Sequence, residues 1–376
     1  GIDALTEAYL LTGDRSYARK AAVLLDRVAD VYPAFDFKTQ AICNEGRDFP
    51  SAGYVSMWHD ACPETEGMAV AYDAIFEAID DDQLVAFLST KARQCALDNP
   101  KTSAADIRRN IEQNILRDAL EHREKIHCNF PRTHIACATM KIILGWPGNR
   151  RDVMEELDAV LDQATAVDGV TGEKGLAGYA SFVISGLATG LARLVRMDPG
   201  LLDEMVCRHP GLRRTWRLWI DTCCLDKYYP TCGDDGYFAG PCERYPGADL
   251  RRPVDAAGKP TGSWPVLQPS LFSFLWRMHR AVGDPALAQL LYRFNGNTVE
   301  NLPWDVFLDD PAAAQGEIAR VVRDHGAQIS LGSIDLAQWH LAIMRSGAGA
   351  RRRAAWLDYD SGGKHGHYDA MNLGLY

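Results

Sequence analysis

Residues 327–333 read AQISLGS, residues 337–345 read AQWHLAIMR, residues 352–360 read RRAAWLDYD and residues 371–376 read MNLGLY. These are short runs of aliphatic and aromatic residues separated by glycine-rich turns, and they predict strands of an antiparallel sheet. Upstream the texture is different. Apolar residues recur at helical spacing near 3–29, 64–79, 82–97, 104–122, 132–145, 151–165, 177–196, 199–221, 267–282 and 285–294. TGD at 12–14, GWPGN at 145–149 and VGD at 282–284 supply turns, and Ser103 and Asp152 are expected helix N-caps. Helices first and strands afterwards predict segregated α and β regions. Serial helices with short turns imply helix pairs, and the lack of a fixed-period repeat favours an (α/α) toroid over a regular solenoid. The expected fold is therefore mainly α. An incomplete (α/α) toroid covers residues 1–296, and a linker with the first strands of an antiparallel β-domain covers 297–376, truncated at its C-terminus.

Composition narrows the function. The chain of 376 residues carries 40 basic and 50 acidic side chains, a formal charge of −10. That balance argues against a general nucleic-acid binder, while a locally basic cleft for an anionic substrate remains compatible with it. No stretch reads as a signal peptide or a membrane span. The first residues resemble the middle of a helix, so both ends are expected to be cut from a longer protein. The location expected is periplasmic or secreted, the signal lying outside this chain, with a cytoplasmic location left open. None of the ten cysteines forms a CxxC pair, which argues against a zinc ribbon. Most are expected to be buried thiols; Cys232 with Cys242 would suit a disulfide in an exported protein.

Chemistry concentrates at the C-terminus, LDYDSGGKHGHYDAMNLGLY (357–376). In a strand His365 and His367 share one face, because side chains repeat every two residues. Two imidazoles beside a glycine turn can hold a metal or flank a substrate. The longer pattern GGxHGHYDAxNLGLY resembles the signature of heparinase II/III-like polysaccharide lyases, in which it opens the β-domain facing the toroid. The resemblance implies that His365 faces substrate and that His367 is a zinc ligand where zinc is bound, the remaining ligands lying beyond Tyr376. Two further landmarks are implied on helix starts. HCNFPRTHIACATMKIIL (127–144) supplies Asn129 and His134, although NFPRTH departs from the usual N-x-G-x-H. VDGVTGEKGLAGYASFVISGLATGL (167–191) supplies Tyr179 after a DG loop.

β-Elimination explains these residue types. A uronate carboxylate must be neutralised so that charge can build at C5; Asn129, Arg132 or His134 can do this. The C5 proton must be removed, and the departing O4 must receive one. Tyr179 is assigned as acid, and also as base for syn substrates, with His365 or His134 as partner. Asn129, Tyr179 and His365 are expected to converge on one cleft between toroid and sheet. Trp58, His59 and Glu64, just ahead of a helix, and Asp234 in the GDDGYF turn (233–238) are further substrate-binding candidates, and Trp58 can stack on a sugar. The basic run Arg351–Arg353 is expected to be a solvated strand edge. The partner expected is an acidic polysaccharide, glycosaminoglycan-like or alginate-like. Two rival functions remain open. One is an (α/α)-barrel glycoside hydrolase using Glu64 with Asp234 or Asp235; the other is a non-catalytic acidic-glycan-binding protein.

Overall fold

The computed structural model describes residues 1–35, 58–173, 175–233, 244–251, 268–359 and 372–376; of Trp58, His59, Arg251 and Asn372 it describes the backbone alone. The chain divides into two compact units, Gly1–Asp158 and Ala159–Tyr376. Among the described residues it is mainly helical, with one four-stranded antiparallel sheet and one short hairpin.

The first unit holds helices α1 (Ile2–Thr12), α2 (Arg15–Val31), α3 (Trp58–Ile75), α4 (Asp82–Gln94), α5 (Ala104–Ile111), α6 (Asp118–Glu121), α7 (Arg132–Gly145) and the start of α8 (Arg150–Ala164). Their ends follow local chemistry. Gly13 closes α1 in the left-handed conformation at φ 70. Ser103 is the N-cap of α5, as the sequence predicts, and with Asp106 it forms a reciprocal capping box. Asp152, expected as a cap, instead lies in the first turn of α8, where its charge suits the helix dipole. α3 begins six residues before the expected 64, because the helix runs through Pro63, whose type more often marks a first turn. Trp58, His59 and Glu64 therefore lie within a helix and not ahead of one. The core of this unit is a face of α2 built from Ala18, Ala21, Ala22, Leu25 and Ala29, all essentially inaccessible, against Tyr72 and Ile75 of α3 and Ile107 and Ile111 of α5. Small residues at i, i+3, i+4 spacing let the helices approach closely.

The second unit begins with the end of α8. It continues with α9 (Tyr179–Leu194), α10 (Leu201–Arg208), α11 (Leu212–Thr215) and α12 (Leu218–Asp221), then the hairpin β1 (Arg244–Tyr245) and β2 (Leu250–Arg251). Helices α13 (Pro269–Val282), α14 (Pro285–Phe294) and α15 (Pro311–His325) lead into β3 (Ile334–Leu336), β4 (Leu341–Ser346), β5 (Arg353–Asp358) and β6 (Asn372–Leu375). The single helix expected over 199–221 is three: His209, Pro210 and Gly211 interrupt it first, where proline lacks the N–H that would continue the ladder, and a turn at Trp216 and Arg217 separates α11 from α12. α15 occupies a stretch expected to be linker. Residues 327–333, expected as a strand, join no ladder. The Gln289 amide donates instead to the carbonyls of Gly326 at 2.8 Å and Gln328 at 3.3 Å.

The sheet is an antiparallel meander in the order β3-β4-β5-β6. Leu336, Leu341, Asp358 and Asn372 stand opposite one another in one row across all four strands, which defines one end of the sheet. Alternation separates its faces. Leu336, Leu341, Ile343, Ala354 and Trp356 are buried on one, while Met344, Leu373 and Leu375 are exposed on the other. The buried face meets residues 221–229. Arg345 donates to the carbonyl of Cys223 at 3.0 Å, and Tyr376 stacks on Tyr228 with ring centroids 4.6 Å apart. Gly374 faces Trp356; a Cβ there would lie 2.0 Å from the indole Nε1, so this glycine of the C-terminal motif is required by packing.

Candidate functional site

In the first unit the expected residues Asn129, Arg132 and His134 gather at the start of α7. The segment leading into that helix is folded on Thr133, whose hydroxyl accepts the Cys128 N–H at 2.9 Å and donates to the Ile126 carbonyl at 3.1 Å. The Asn129 carbonyl accepts the Arg132 N–H at 2.9 Å. Pro131 is the N-cap and no side chain caps the helix, so Asn129 does not serve as its cap. Arg132 lies beside the buried Cys128 thiol. Burial pushes that thiol up, and the guanidinium opposes the shift.

His134 has a definite partner. Its Nδ1 lies 2.8 Å from Oε1 of Glu156 on α8. The Glu156 side chain is 5% exposed and that of His134 is 32% exposed, so the carboxylate is shielded while part of the imidazole meets solvent. Arg123 reaches both carboxylate oxygens, and Lys141 donates to Oε2 at 2.8 Å. Burial by itself would raise the Glu156 carboxyl, but the hydrogen bonds from His134, Arg123 and Lys141 hold it well below the usual range. Phe130 packs edge-on to the imidazole at 5.8 Å. The arrangement is a histidine oriented by a buried anion, with two cations fixing the anion's charge. Glu156, Arg123 and Lys141 were missed from sequence. Lys141 was detectable, since it stands seven residues after His134 and so on the same helix face. Glu64 is exposed on α3, its carboxyl raised by partial burial and by the charge of Asp60.

In the second unit Tyr179 is the first residue of α9 and is half-buried. The segment before it is fixed at several points. Asp168 accepts the backbone N–H groups of Gln338 and Trp339, each at 2.9 Å, and donates its own N–H to the Gln338 side chain at 2.7 Å. The Trp339 indole donates to the Thr171 carbonyl at 2.9 Å. Gly169 has φ 90, and a Cβ there would lie 2.7 Å from Arg214, so the DG sequence is a conformational requirement. Trp219 donates to the Leu176 carbonyl and Arg244 to that of Ala177, each at 2.9 Å. The start of α9 is thereby held from both sides of its approach.

His365, His367 and Asp234 lie outside the described residues, as do Asp235 and Cys242. For Trp58 and His59 only the helical backbone is described. The flanks of the histidine segment are described: β5 ends and β6 begins at the paired residues Asp358 and Asn372. Among the described residues no group of three His, Cys, Asp or Glu side chains could hold a metal ion, and no helix is long and apolar enough to cross a membrane. A groove of about 570 Å³ in the second unit is lined by Trp276, Arg277, Arg280, Leu308 and Glu317 among others, and by none of the expected site residues.

The chain matches no family model, and no curated protein matches it.

Proposed function

We propose that this chain is the helical and early β portion of a polysaccharide lyase that cleaves an acidic, uronate-containing polymer by β-elimination. In this reading residues 1–296 form an incomplete (α/α) toroid and residues 297–376 lead into the β-domain, in the manner of the heparinase II/III-like lyases that the C-terminal motif resembles. A base removes the C5 proton, its electron pair forms the C4–C5 double bond, the C4–O4 bond breaks, and O4 leaves with a proton from an acid. Asn129, with Arg132 or His134, neutralises the uronate carboxylate so that charge can build at C5. Tyr179 protonates O4, and His365 or His134 takes the C5 proton. Where zinc is bound, His367 would be one of its ligands.

One observation supports this most. The loop leading to Tyr179 is bonded through Asp168 to the Gln338–Trp339 turn, which lies at the sheet end marked by Asp358 and Asn372. Those two residues flank the segment that carries His365. The loop before Tyr179 is thus tied to the end of the sheet at which Asp358 and Asn372, the described residues on either side of the histidine segment, stand.

The test is incubation of the protein with heparan sulfate, chondroitin sulfate, hyaluronan and alginate, followed in the near ultraviolet. An unsaturated uronide absorbs there, so rising absorbance with at least one polymer is expected. New reducing ends without absorbance would establish hydrolysis instead, and binding without either would establish a glycan-binding protein.

A further inference from the structure

We infer that Glu156 is a positioning residue for His134: by accepting the Nδ1–H it fixes the tautomer of the imidazole and leaves Nε2 as the nitrogen that exchanges a proton with substrate. The catalytic part of this inference rests on the lyase reading above; the tautomer does not.

An ionised carboxylate has lone pairs and no proton to give. The nitrogen 2.8 Å from Oε1 must therefore carry the hydrogen. A neutral imidazole has one such hydrogen, so Nε2 is left bare and basic. Glu156 remains ionised because two permanent cations hold it: Arg123 on both oxygens and Lys141 at 2.8 Å on Oε2. The geometry is anchored on three separate pieces of chain. His134 is in the first turn of α7, Glu156 comes from α8, and Arg123 begins the short turn Arg123–Ile126. The edge of Phe130, 5.8 Å away, packs against the ring. A histidine on a helix surface with only structural duties needs no buried anion beneath it. Here the anion is 5% exposed while a third of the imidazole is open, the division expected when one nitrogen orients the ring and the other works.

The experiment reads the nitrogens directly. Two-bond proton–nitrogen spectra are recorded on the protein labelled at histidine nitrogens, at a pH where the imidazole is neutral. His134 is assigned by its disappearance in H134Q. The expected result is a protonated Nδ1 and a bare Nε2. A proton on Nε2 in the wild-type protein overturns the inference without need of any variant at Glu156. In E156Q the amide has one oxygen, and the donors of Arg123 and Lys141 compete for it. The NH2 group then turns toward His134 and makes Nδ1 an acceptor. The tautomer should switch to Nε2–H, and turnover on the best polymer should fall by roughly 10²–10⁴-fold. An unchanged tautomer in folded E156Q also overturns it. A switched tautomer with undiminished turnover removes the catalytic role of His134. The expected spectra with no turnover on any polymer uphold the tautomer and overturn the lyase reading.

Discussion

The carboxylate of Asp168 accepts the backbone N–H of Trp339 at 2.9 Å, joining residues 171 positions apart. It accepts the N–H of Gln338 at the same distance, and Asp168 is itself nearly buried. Removing such an acceptor leaves donors without a partner, and hydrogen bonds to charged groups contribute about 1.5–3 kcal/mol. Asp168→Ala should lower the unfolding free energy measured in urea by an amount in that range. On the best polymer it should also reduce turnover, because the loop before Tyr179 loses its fastening to the sheet. Unchanged stability would mean the contact is not maintained in solution.

Gly374 should not tolerate a side chain. A Cβ would lie 2.0 Å from Nε1 and 2.2 Å from Cε2 of Trp356. Overpacking of this kind costs about 1–3 kcal/mol. Gly374→Ala should destabilise the protein by that amount, and Trp356→Leu in the same molecule should recover part of it. A double-mutant cycle by denaturant unfolding measures the coupling; simple additivity would show that the clash is relieved elsewhere.

Tyr179→Phe keeps the ring and deletes the transferable proton. Under the elimination mechanism turnover should drop by roughly 10²–10⁴-fold with the thermal midpoint nearly unchanged. Asn129→Ala should also slow turnover, through lost stabilisation of the uronate carboxylate. Steady-state rates on the polymer that gives the largest absorbance change decide both, and near-wild-type rates for Tyr179→Phe would remove the tyrosine from the mechanism.

Glu156 predicts a pH dependence of stability. Burial raises its carboxyl, but His134, Arg123 and Lys141 together carry it well below its ordinary 4.5. A carboxyl lowered on folding contributes stability that is present above its unfolded value and is lost as pH falls through its folded value. The stability gap between wild type and E156Q should therefore be full above about pH 5 and shrink as the pH drops toward about 2. Chemical unfolding at a series of pH values measures it, and a gap independent of pH would contradict the charged cluster.

Local chemistry alone was enough to locate most of the helices. α7 begins at Arg132 and ends at Gly145, the expected bounds, and the Ser103 capping box is present, because periodicity and caps act within a few residues. Even α15 carried a local signal, Asp310 followed by Pro311 and a run of alanines, which the irregular residues before it obscured. After residue 326 the expected runs at 337–345, 352–360 and 371–376 carry β4, β5 and β6, while the first run, 327–333, carries no strand. β3 starts at Ile334, after Gln289 has taken the Gln328 carbonyl, one that a strand over 327–333 would have paired. What only the tertiary structure decided is which charged groups meet. Glu156 reaches His134 across 22 residues and Asp168 reaches Trp339 across 171, and no spacing rule marks either carboxylate. Helix caps and periods are settled by neighbours along the chain, whereas a buried carboxylate finds its partners only when packing brings distant segments together around it.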